Sequence, residues 1–140
     1  MTYLLDTNVI SEGFKPLPDA TVMGWLHHTD EDRLYLSVVV LAELQRGIEL
    51  MPPGRRRAAF SVWVAEDVVA RFSGRLLGVD STVATAWGTL MARARRLGIG
   101  LSIMDGFLAA TAQVHAFTLV SRNVRDFLPL GLSLLNPWDV

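Results

Sequence analysis

Asp6, Glu43 and Asp105 lie far apart in the sequence, and each stands where a lone carboxylate would be costly. Asp6 ends the apolar run YLLD (3–6) and is followed by two small polar residues. Glu43 falls in LSVVVLAEL, on the face of a helix shared with Val39, Val40, Gly47 and Leu50. Asp105 falls in the first turn of a helix, on a face shared with Leu108, Ala109 and Ala112. Each has a structural alternative. Asp6 can cap the turn at Thr7-Asn8, and Ser102-x-x-Asp105 matches a capping box. A buried Glu43 is harder to dismiss, because Glu is seldom buried without a partner. Buried like charges raise one another's pKa unless a cation neutralises them. With no Cys in the chain and no His near these acids, an all-oxygen set favours a hard cation, Mg²⁺ or Mn²⁺.

The elements that would bring the three together read as alternating strands and helices. Short apolar runs at YLLD (3–6), LYLS (34–37), RLLGV (75–79), TLVS (118–121) and LSLL (132–135) are continuous enough for strands buried on both faces, as in a parallel sheet. Helical spacing between them predicts five helices. One is capped by Asp19 and runs to about 28, with Trp25 and Leu26 inward, and one is capped by Ser37 and runs to about 51. The others span about 56–72, 82–97 and from Ser102 to about 116. The fold class is therefore α/β, a three-layer α/β/α sandwich on a parallel sheet, in one domain over 1–140. In such sheets ligands bind beyond the carboxyl ends of the strands, which is where Asp6, Asn123 and Asp126 fall.

Composition narrows the function classes. The chain has 140 residues, 51% hydrophobic and 19% charged, with a net charge of −1 and no cysteine. Disulfides and thiolate metal sites are excluded, and a reducing, cytoplasmic setting is expected. No apolar stretch reaches membrane-span length, and no basic segment opens a signal peptide. The near-neutral charge leaves any nucleic-acid surface local: Arg55-Arg56-Arg57, Arg93-Arg95-Arg96, or Arg122 with Arg125. The apolar composition points to a subunit interface, hence a homodimer. His27-His28 reads as surface, since adjacent helical side chains diverge.

The order DTN, AEL, D-x-x-x-AATA and SRN-x-x-DF, carried by MTYLLDTNVISE, LSVVVLAELQRGI and MDGFLAATAQVHAFTLVSRNVRDF, resembles the PIN domains of the VapC toxin class. The final NPW (136–138) fits the FitB-like branch. The resemblance implies an endoribonuclease toxin using Mg²⁺ or Mn²⁺, with Asp6, Glu43 and Asp105 as metal-binding catalytic acids. Cleavage would leave a 3′-hydroxyl and a 5′-phosphate. It further implies a cognate antitoxin, a homodimer or larger toxin–antitoxin assembly, and operator DNA contacted only through the antitoxin. Asn123 falls where many relatives carry a fourth Asp, so it is expected to offer a carbonyl oxygen to the metal and no charge. Thr7 and Ser121 are expected to line the pocket, and Asp126 to shape the turn into a buried Phe127.

Two other readings compete. An aspartate-nucleophile phosphatase wants a second Asp two residues after the first, where Asn8 stands, and a nearby Lys, whereas Lys15 is the sole lysine. A catalytically silent PIN-fold binding module, acting through an antitoxin and DNA, would not need three acids.

Overall fold

The computed structural model describes residues 1–140. Five parallel strands, β1 (Tyr3–Leu5), β2 (Leu34–Ser37), β3 (Leu76–Leu77), β4 (Thr118–Val120) and β5 (Leu134–Leu135), form a sheet in the order β3-β2-β1-β4-β5. The helices are α1 (Thr7–Glu12), α2 (Ala20–His28), α3 (Val38–Leu50), α4 (Arg55–Val62), α5 (Val69–Arg71), α6 (Ser81–Arg96) and α7 (Ile103–His115). They cover the sheet in the expected α/β/α arrangement. Leu4, Leu5, Leu34, Leu36, Leu119 and Val120 are buried in the strands, against Val40, Leu44 and Leu108 of α3 and α7. This is why the strand sequences are apolar on both faces.

The caps explain where the helices start. Asp19 Oδ1 accepts from Thr21 N and Val22 N, Ser37 Oγ from Val39 N, Asp80 Oδ1 from Val83 N, and Ser102 Oγ from Asp105 N. Each satisfies backbone donors that the first helical turn leaves open.

Several expectations need correction. Asp6 is not a strand residue. The strand ends at Leu5, and Asp6 caps α1, a helix that the Thr7-Asn8 turn reading missed. The strands foreseen at 75–79 and 132–135 shrink to two residues each, because these edge strands have a neighbour on one side only. The helix expected over 56–72 passes from α4 through a π-helical stretch, Trp63–Val68, into α5. The wider turn keeps Val64 and Val68 buried and Trp63 against Phe14 and Phe60, at ring separations of 5.3 and 5.7 Å. Leu50 is 69% exposed, so the buried stripe of α3 is Val40–Leu44–Ile48 and Glu43 lies at its edge. His27 and His28 are both exposed on α2, as foreseen.

Trp87 and Met91 of α6 are half-buried within the chain. Leu90 is buried, Trp87 stacks on Phe107 at 4.9 Å, and Trp87 Nε1 donates to Ile103 O at 3.1 Å. Gly106 permits this contact, since a Cβ there would sit 2.4 Å from Met91 Sδ and 2.9 Å from Trp87 Nε1.

Candidate metal centre

Strand order places the site. The chain leaves β1 towards β2 on one side and later returns to β4 on the other, so the carboxyl ends of β1 and β4 flank a crevice. Asp6 follows β1 directly. Its N–H donates to Val120 O at 2.9 Å, which fixes its backbone to the end of β4. One carboxylate oxygen accepts from Thr7 N at 2.7 Å and the other from Ser121 Oγ at 2.7 Å. Ser121 also accepts from Asn123 N at 3.0 Å and Asn8 Nδ2 at 3.4 Å. Asp6 is therefore both a helix cap and a site residue, and one rotamer serves both.

α3 and α7 supply the other two acids. One carboxylate oxygen from each of Asp6, Glu43 and Asp105 falls within a set whose members all lie within 4.8 Å of one another. They line a pocket of about 340 Å³ with Thr7, Asn8, Ser11 and Asn123, and no hydrophobic residue contributes to its wall. Of the expected site residues, Asn123 thus reaches the pocket. Its Nδ2, however, donates to Asp126 Oδ2 at 3.0 Å, and Phe127 beyond is fully buried. Ser11 was missed, since its place one turn along α1 is visible only once that helix is known.

All three acids titrate high. Burial raises Asp6 above its ordinary 3.8, opposed by the Ser121 and Thr7 hydrogen bonds and reinforced by Asp105. Burial and then the charges of Asp6 and Asp105 raise Glu43, with Arg46 pulling the other way. Burial raises Asp105 against the Ser102 hydroxyl, and Asp126 adds to the rise. Arg46, three residues along α3 from Glu43, is a cation that the three arginine clusters of the sequence did not include.

Two buried oxygens have no hydrogen-bond partner, Glu43 Oε1 and Thr7 Oγ1, and both residues line this pocket. Unsatisfied buried acceptors beside two further carboxylates are what a hard divalent cation requires, so the donor set fits Mg²⁺ or Mn²⁺.

The raised pKa values carry a sign for stability. Lowering the pH protonates these acids in the folded chain before the unfolded one, so metal-free protein gains stability as the pH falls through their raised values towards the ordinary carboxylate range. Glu12, held low chiefly by Lys15, and Glu31, held low chiefly by Arg71, act oppositely, and their stabilisation is lost only as pH falls through their lowered values. Thermal melts in EDTA should therefore show a maximum on the acid side of neutrality. A melting temperature that falls steadily from pH 7.5 would contradict the cluster's electrostatics.

A PIN domain model matches residues 3–128. The chain belongs to the PIN-domain family. It is 38% identical over 136 residues to VapC ribonuclease Y4jK of Sinorhizobium fredii, covering 97% of both chains. It is 33% identical to toxin FitB of Neisseria gonorrhoeae, covering 96% of this chain and 97% of FitB. Its fold superposes on the crystal structure of FitAcB from N. gonorrhoeae with a TM-score of 0.92 at 32% identity, covering 99% of this chain and 100% of that one. The same TM-score relates it to a structure of FitAB bound to an IR36 DNA fragment. Within the PIN family the chain thus falls in the VapC/FitB group of toxin ribonucleases from toxin–antitoxin systems.

Proposed function

We propose that this PIN domain is a toxin endoribonuclease whose Asp6, Glu43 and Asp105 hold Mg²⁺ or Mn²⁺ and hydrolyse RNA phosphodiesters. The observation that carries the reading is the convergence of three carboxylates on a wholly polar pocket in which Glu43 Oε1 lacks a partner. The bound cation would lower the pKa of a water and neutralise charge developing on the phosphate. The chain's own residues supply the rest. Thr7 N and Ser121 Oγ fix both oxygens of Asp6, so it meets its ligand without losing rotamer freedom at that moment. The Ser102 cap fixes the first turn of α7, which carries Asp105. Glu43, whose Oε1 is buried without a partner, is placed to bind the cation or to orient the attacking water. The test is cleavage of end-labelled RNA by purified protein with Mn²⁺, with Mg²⁺ and with EDTA. Metal-dependent products bearing 5′-phosphates support the reading, and metal-independent or absent cleavage sinks it.

The phosphatase reading loses its footing. Asn8 is a strut, accepting from Arg122 N and donating to Ser121 Oγ, and Lys15 is ion-paired to Glu12 at 2.9 Å.

Asn123 sets the cluster's charge. Replacing it by Asp should tighten Mn²⁺ binding by about tenfold, or 1.4 kcal/mol. Placing a second carboxylate beside Asp126 should lower the stability of metal-free protein by no more than about 1 kcal/mol, since the position is exposed. Calorimetric titration with Mn²⁺ checks the first, and an unchanged affinity would remove residue 123 from the metal's surroundings.

The partner reading rests on the family and on charge. The relatives' structures are of FitAcB and of FitAB with DNA. Here a cognate antitoxin would place a basic side chain among the three acids, where a guanidinium can form bidentate bonds in competition with the cation. Its apolar residues would seat between α3 and α4, where Leu41 and Trp63 remain half-exposed. Leu44, by contrast, is core. Operator DNA would be reached through that antitoxin. A homodimer through α6 and α7 would cover Leu97 and Ile103, which are 53% and 62% exposed. Light scattering on the toxin co-expressed with its neighbouring gene product should give a mass containing two toxin chains. A one-to-one complex of two chains would contradict the dimer, and failure to co-purify would contradict the antitoxin.

A further inference from the structure

The C-terminal Asn136-Pro137-Trp138 has no role in the site described above, yet it is joined to it. The Arg122 guanidinium lies over the Trp138 ring, 5.0 Å from its centroid, within cation–π range. Two hydrogen bonds hold the pair in register. Asn136 Nδ2 donates to Arg122 O at 3.4 Å, and Asn136 Oδ1 accepts from Trp138 N at 3.0 Å. On its other side Arg122 N donates to Asn8 Oδ1 at 3.3 Å, and Asn8 lines the acidic pocket. Arg122 is exposed and forms no ion pair, whereas Trp138 is half-buried against the core. The charge of Arg122 reaches Glu12, but that acid is already engaged by Lys15 and by Asp19 N. A cation with no acid to satisfy, stacked on a fixed ring at the edge of an acidic pocket, is suited to a phosphate that the pocket itself would repel.

We infer that Arg122 binds a backbone phosphate of single-stranded RNA beside the acidic pocket, and that Trp138 is the positioning residue that holds its guanidinium there. The inference rests on the ribonuclease reading and deepens it by naming where the substrate backbone is gripped. A long, flexible arginine loses less freedom on binding when its guanidinium is already stacked.

Binding of a fluorescent, random-sequence single-stranded RNA to metal-free protein in EDTA, followed by anisotropy across KCl concentrations, tests it without cleavage. Loss of one phosphate contact lowers the slope of log affinity against log salt by about 0.7, and affinity near 0.1 M salt by about fivefold. Arg122→Ala should show both changes. Trp138→Leu should match it, Trp138→Phe should retain most of the binding because the ring face survives, and the double variant Arg122→Ala/Trp138→Leu should lose no more than either alone. An unchanged slope in Arg122→Ala overturns the inference. So does a Trp138→Leu loss with no change of slope, or a double variant whose losses add. If Trp138→Leu does not fold, Arg122→Ala and Trp138→Phe still decide. Intact RNA binding with weakened capture of the co-expressed antitoxin would make the stack a protein contact and refute the phosphate role. Wild-type protein that binds no RNA in EDTA also refutes it, while the ribonuclease reading is judged separately by metal-dependent cleavage.

Discussion

Asp6→Asn or Asp105→Asn is expected to reduce metal-dependent RNA cleavage by about 10³-fold or more and to leave the fold intact. The size follows from the role. A cation that activates water and neutralises phosphate charge contributes several kcal/mol to the barrier, and about 4 kcal/mol corresponds to that loss. The second half of the expectation is the more diagnostic. Both acids are raised in pKa by burial, so their charged forms weigh against the folded state at neutral pH. Asn is nearly isosteric and keeps Oδ1 as the acceptor for Thr7 N, so the cap of α1 survives, while its amide nitrogen can only donate to Ser121 Oγ, reversing that bond. Melting temperature in EDTA should stay level or rise, whereas stabilisation by Mn²⁺ should disappear. For wild type that stabilisation is about 2.7 kcal/mol at a hundred times Kd. A variant that melts several degrees lower and still cuts RNA would make the carboxylate structural.

Gly106→Ala is expected to harm both stability and metal binding, because one atom acts on both. The added Cβ meets Met91 Sδ at 2.4 Å and Trp87 Nε1 at 2.9 Å. The methionine can bend away, but the indole cannot without losing its bond to Ile103 O and its stack on Phe107. Overpacking of this kind costs about 1–3 kcal/mol, or a fall of roughly 2–4 °C per kcal/mol for a chain near this size. The displaced element is the first turn of α7, which carries Asp105 next to Gly106. Mn²⁺ affinity should therefore fall along with the melting temperature. A stable variant with wild-type metal affinity would mean that α6 does not position Asp105. Calorimetric titration beside thermal melts separates the two effects.

The site was more legible in the sequence than the fold details around it. Asp6, Glu43 and Asp105 could be grouped because buried carboxylates are conspicuous against apolar helix and strand patterns. Strand polarity then put them at one end of the sheet. Asn123 was visible as a pocket residue, but its bond to Asp126 was not, since a side-chain amide three residues from an acid has several rotamers open to it. α1 was hidden because its six residues, TNVISE, include three β-branched ones, and only the Asp6 cap and the buried Val9 and Ile10 make the helix worthwhile. Leu50 was expected on the inward face of α3 and is exposed, because helical spacing alone leaves the stripe's centre uncertain by about one residue. The close approach of α6 to α7 was not legible in the sequence, because it depends on Gly106, whose missing side chain leaves room for Trp87 and Met91.

The most direct test of the metal assignment is anomalous scattering from a crystal grown with Mn²⁺ in the absence of any antitoxin. On that assignment a peak is expected in the polar pocket at about 2.1 Å from carboxylate oxygens of Asp6, Glu43 and Asp105. A crystal saturated with Mn²⁺ that shows no peak there, or shows Mn²⁺ bound only elsewhere, would contradict it.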